Sequence, residues 1–147
     1  MNKPKLTGVA LHEAGHILIG GLHGYECDEV WITSAGAGQA LVGPEMGQGP
    51  VEAEVCISLA GYLAQGLELG DDFLLSQIAR ARQEVPPDDH FDVLKAFRRL
   101  ILEAPEAGDT QLMMEYRRLE ALTRARLSEA DNARELERIA GELLGAG

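Results

Sequence analysis

His12, Glu13 and His16 stand together in the run VALHEAGHILIGGLHG, Val9 to Gly24. Their order is His-Glu-x-x-His, inside a segment that is otherwise apolar. Burying such groups unpaired costs several kcal/mol, roughly 2–7 for a polar group and more for a charge, so the chain must satisfy them or use them. On an α-helix four residues turn about 400°, which sets the two imidazoles on one face, one turn apart. Two neutral imidazole nitrogens at that spacing can reach one Zn2+ at about 2.0–2.1 Å. Glu13 is rotated about 100° from His12, beside the metal rather than on it. From there it can take a proton from a water whose pKa the metal lowers to about 7. This is the mechanical reason for the pattern in zinc hydrolases. Ala14 and Gly15 are small enough to let another element pack close behind. His23 follows Gly20-Gly21 and reads as a loop histidine.

A catalytic zinc takes three protein ligands and one open position. The third must come from elsewhere, and the carboxylates after residue 50 are Glu52, Glu54, Asp71, Asp72, Asp88, Asp89 and Asp92. Glu52 and Glu54 follow Pro50 at a helix start, where acids suit the helix dipole. Asp71 and Asp72 open a helix after Gly70, and Asp88 and Asp89 suit an N-cap after Pro86-Pro87. Asp92 differs. It falls in the first turns of an amphipathic helix with Phe91, Leu94, Phe97 and Ile101, where an acid is costly unless paired or metal-bound. It can also be a late member of the acidic helix start, and His90 is a substitute ligand two residues earlier.

These groups need elements to hold them. The first helix is expected from about Thr7, an N-cap type, to Gly20-Gly21. Val30 and Ile32 alternate with Trp31 and Thr33, a strand, and Ala35 to Gly38 makes the turn into a returning strand, Gln39 to Gly43. Gly43 to Pro50 carries three Gly and two Pro and reads as a loop, either a gate over the cleft or a plain connector. From Val51 the pattern is helical: Val51 to about Leu69, a helix after Gly70, the amphipathic helix around Asp92, and a tail from Thr110 to Leu144 that breaks near Ser128. The tail's Leu112, Tyr116, Leu119, Leu122 and Leu127 read as core, with a helix–helix surface as the alternative. The fold class expected is mainly α (α+β) and zincin-like: the histidine helix and a small antiparallel hairpin (residues 1–50) packed on a helical part (51–147), in a single domain.

The 147 residues are 46% hydrophobic, with net charge −11. A domain of this size buries about two-thirds of its unfolded surface. The charge repels nucleic-acid phosphates, so no nucleic-acid partner is expected. No run of about 18 apolar residues exists, so no membrane span is expected. Two cysteines, Cys27 and Cys56, make no disulfide framework and read as small buried hydrophobes; the compartment expected is cytoplasmic.

The segment VALHEAGHILIGGLHG resembles the start of the peptidase domain of FtsH-type AAA+ zinc metalloproteases. DEVWITSAGAGQALVG is similar to the hairpin that follows there, VCISLAGYLAQGLELG to the next helix with its Leu-Ala-Gly, FDVLKAFRRLI to the helix carrying the aspartate ligand, and the tail to the closing helices. Only HEAGH is a sharp match; the others are loose patterns, in the family's order. Gln65 stands where the family has glutamate and Tyr62 where it has arginine. Residues 71–82 look like an added helix, and the ATPase module and membrane helices are missing. The resemblance implies a stand-alone zinc peptidase with His12, His16 and Asp92 on the metal and Glu13 as the catalytic base. Its substrates would be unfolded or short peptides, aligned on the edge Gln39 to Val42. A separate ATPase would have to unfold structured substrates, and a homo-oligomer is compatible. The alternatives are a module that keeps the fold and binds zinc or a partner without proteolysis, and a metal-dependent hydrolase of another substrate.

Overall fold

A computed structural model of the protein describes residues 3–83 and 91–146. Val85 to His90, with Asp88, Asp89 and the breaker around them, lie outside the described residues. The chain runs α1 (Lys3–Leu22), β1 (Cys27–Ile32), β2 (Gly38–Val42), α2 (Val51–Ala64), α3 (Asp71–Ala81), α4 (Phe91–Glu103), α5 (Asp109–Ser128) and α6 (Ala130–Ala146). The mainly helical class with one small antiparallel sheet is as expected. None of these helices is long and apolar enough to cross a membrane.

α1 is the central element, packed against α2, α6 and both strands. Ala10, Ala14, Leu18 and Ile19 are buried, and so are Glu13 and His16. A helix apolar on nearly all sides is one that neighbours surround. α1 begins at Lys3, four residues before the expected start near Thr7, and runs through Gly20 and Gly21 to Leu22, just past the expected stop. Gly20 serves contact instead: a Cβ there would come within 2.1 Å of the Val42 Cγ1. His23 follows in a turn, its ring nitrogen Nε2 3.0 Å from an Arg126 guanidinium nitrogen.

The hairpin pairs Val30 with Ala40, Trp31 with Gln39 and Ile32 with Gly38, with an irregularity between Cys27 and Glu29. Behind it the helical part shares one core with α1. Val93, Leu94, Ala96, Phe97 and Leu100 of α4 are buried, whereas Phe91 is turned outward and 40% exposed. The inward face is thus rotated from the set expected. Phe97 stacks on Tyr116, centroids 4.7 Å apart. Leu112, Tyr116, Leu119 and Leu127 of α5 are core, and α5 gives way to α6 at Glu129. Cys56 is buried and Cys27 half-buried, both as free thiols.

The segment between β2 and α2 is fastened rather than loose. Gly47 N–H donates to Glu54 Oε1 at 2.8 Å, and Arg99 donates to the Gly49 carbonyl at 3.0 Å. Arg99 and Glu54 form a buried ion pair, 6% and 5% exposed. Gly43 and Gly47 have φ of +88° and +87°, which lets the backbone turn through the left-handed region that other residues disfavour.

Candidate metal centre

His12 and His16 project from α1 toward α2 and the start of α4. Two close approaches make this possible. A Cβ at Gly15 would lie 2.5 Å from the Ala60 carbonyl oxygen, and one at Gly61 would lie 2.5 Å from His12 Nε2. Helices α1 and α2 therefore cross where neither carries a side chain, and the His12 ring lies flat over the bare backbone of Gly61.

The ring nitrogens facing α2 are committed. His16 Nδ1–H donates to the Ile57 carbonyl at 2.7 Å, and His12 Nδ1–H donates to Gln65 Oε1 at 2.7 Å. Tyr62 meets the His12 ring edge-on, centroids 5.0 Å apart. With both Nδ1 atoms protonated, a neutral ring carries a lone pair on Nε2. Both Nε2 atoms converge on a single acceptor, Asp92 Oδ2, at 2.9 Å from His12 and 3.0 Å from His16. Lone pairs so placed repel unless protons or a cation sit between them. Burial alone would lower the His12 pKa, yet its bonds to Asp92 and Gln65 outweigh burial and raise it. Burial alone would raise the Asp92 pKa, and the two histidines bring it well below the usual carboxylate range.

The donor set fits a metal ion. Tetrahedral bonds of about 2.0–2.1 Å set donors about 3.3 Å apart, so Asp92 Oδ2 need part from each nitrogen by only about 0.3–0.4 Å. The Nδ1 hydrogen bonds supply the outer support that orients metal-binding imidazoles. The ligand atoms of His12, Glu13 and His16 lie within 4.8 Å of one another, a cluster that could hold an ion. Of the two carboxylates, Asp92 makes the closer approach to both imidazoles.

Glu13 is 5% exposed. Burial lifts its pKa, while His16 and His12 pull it down. The main chain at Ala40 of β2 adds a small further pull downward. The cleft over these groups encloses about 580 Å³ between α1, the hairpin, the segment after it and α4.

The structure thus brings together His12, Glu13, His16 and Asp92. Glu54 is taken by Arg99, Asp71 by Arg117 at 2.6 Å, and Glu52 lies 3.6 Å from Arg118. Asp72 is exposed and does not line the cleft. His90 lies outside the described residues. Sequence reasoning missed the supporting roles of Gln65 and the Ile57 carbonyl. Gln65 was marked only as a departure from a family pattern, and main-chain partners leave no mark on residue type.

No protein-family model matches the sequence. No curated protein is significantly similar to it.

Proposed function

We propose that the protein is a zinc-dependent peptidase with a centre like that of FtsH-type peptidase domains. The observation that carries this reading is the convergence of two imidazole Nε2 atoms on one Asp92 oxygen, both Nδ1 atoms being engaged elsewhere, with the buried Glu13 beside them. Three donors of this kind with an open side suit Zn2+.

His12, His16 and Asp92 would hold the ion, and Gln65 and the Ile57 carbonyl would keep the imidazoles in the tautomer that ligation requires. Zinc, when bound, supplies a lowered pKa for water and polarises a carbonyl oxygen. Glu13 accepts the proton of the attacking water on its carboxylate and delivers it to the departing amine nitrogen. The β2 edge, Gln39 to Val42, lines the cleft and offers main-chain groups to an extended peptide. An extended chain must enter, so unfolded or short peptides are the substrates, and a folded protein would require a separate ATPase partner.

The test is hydrolysis of unfolded casein by the protein with and without added zinc, beside Glu13→Gln. Cleavage that requires zinc and is lost in Glu13→Gln, with zinc content unchanged, is the expected result. Zinc binding with no cleavage of any peptide would favour a binding module. Cleavage surviving Glu13→Gln would remove the role given to Glu13.

A further inference from the structure

Lys95 lies one turn beyond Asp92 on α4 and lines the same cleft. Among the described residues it is the only lysine or arginine lining the cleft, whose lining includes the carboxylates Glu13, Asp28, Glu45 and Asp92. The chain has 24 Asp and Glu against 13 Lys and Arg, so carboxylates are plentiful. Six of the ten arginines have taken one: Arg82 pairs with Asp109, Arg99 with Glu54, Arg117 with Asp71, Arg118 with Glu115, Arg134 with Asp131, and Arg138 with Glu135. Lys95 pairs with none of the described carboxylates. Its nearest acid along the helix, Asp92, is occupied by the two imidazoles.

Asp28 and Glu45 stand on the hairpin and the segment after it, and Lys95 stands on α4, beside the imidazole-bound Asp92. Large apolar side chains flank both walls: Trp31 is 42% and Leu41 44% exposed on the hairpin, and Phe91 40% on α4. A peptide extended along β2 would turn alternate side chains toward α4. A half-buried lysine there, with no partner among the described carboxylates, offers its charge to whatever enters.

We propose that Lys95 is a specificity-determining residue that holds a substrate carboxylate on the α4 side of the cleft. This inference rests on the peptidase reading. The carboxylate has two sources, an acidic side chain near the scissile bond or the free C-terminus of a short peptide.

The protein contains one tryptophan, Trp31, and it lines the cleft, so its fluorescence reports binding without turnover. Zinc-loaded Glu13→Gln protein would be titrated with three peptides of one sequence: one with a glutamate flanking the scissile position and an amidated end, one with glutamine and an amidated end, and one with glutamine and a free carboxylate. The expected result is about fivefold tighter binding of one carboxylate-bearing peptide, the scale of a single partly exposed ion pair. That preference should vanish in the Lys95→Ala background and reverse in Lys95→Glu. Whichever peptide shows it names the source. With Glu13 intact, Lys95→Ala should raise KM for that peptide and leave kcat unchanged. Equal binding of all three peptides, or a kcat loss common to all of them, would overturn the inference and leave the peptidase reading standing. Failure of every peptide to bind would overturn both.

Discussion

Replacing Gly61 by alanine adds one methyl, and the structure says where it goes. Its carbon would lie 2.5 Å from His12 Nε2, 2.6 Å from Cε1 and 2.7 Å from Cδ2. Ordinary contacts of that kind sit at about 3.5–4.0 Å, so the ring must retreat by about 1 Å. Metal-ligand distances tolerate about 0.2 Å. Retreat also pulls Nδ1 from Gln65. His12 then leaves the donor set, and His16 and Asp92 alone hold the ion weakly. Zinc affinity should fall at least about a hundredfold, or about 2.7 kcal/mol. The cost to the metal-free fold is that of overpacking, about 1–3 kcal/mol. Competition with a chromophoric chelator measures the first, and thermal unfolding in excess chelator measures the second. Gly21→Ala is the control, since a Cβ there meets nothing within 4 Å. A folded Gly61→Ala protein that binds zinc within twofold of the parent would refute the placement of His12 on the metal.

Asp92→Asn and His16→Ala should each strip most of the zinc after dialysis, and full stoichiometric metal in either by elemental analysis would contradict the ligand set. Arg99→Met leaves the buried Glu54 carboxylate without its partner, so it should cost about 3–5 kcal/mol and lower Tm by about 10 °C, read by calorimetry. Burial, and then the Arg126 charge, lower the His23 pKa below 6.5. The unfolded state therefore binds the proton more readily, and stability is complete above pH 6.5 and is lost as pH falls through the folded value. His23→Gln should flatten that part of the Tm-against-pH curve, and an unchanged slope below pH 6.5 would show that His23 does not supply it.

Period and spacing made His12, Glu13 and His16 legible, because a helix turns a four-residue interval into a shared face. Asp92 was legible as an acid among apolar neighbours, and the structure gives it the two partners that position demands. What stayed hidden depended on distant partners. Glu54 looked like an ordinary acid at a helix start, and only the fold brings Arg99, 45 positions away, against it. Without that pair, the glycines and prolines of residues 43–50 suggested mobility. Gly20 looked like a helix stop because its reason, the approach of Val42, comes from another element. The paired strands, the α5–α6 break and the buried leucines of α5 follow from local pattern and were read correctly. Phe91 was misjudged because periodicity fixes the width of an apolar stripe better than its centre.

The clamp on residues 43–50 has a thermodynamic consequence for whatever binds. Pro44 and Glu45 form part of the cleft wall, and the segment that carries them is tied down through Gly47, Gly49, Glu54 and Arg99. Its conformational entropy is surrendered when the chain folds, so an arriving ligand has no loop to order. Association with this wall should then proceed without a slow closing step. Its heat-capacity change should match the surface covered by the ligand alone, with no added contribution from coupled folding. The cleft would act as a mould already set, and a ligand's own flexibility would become the main entropic obstacle to filling it.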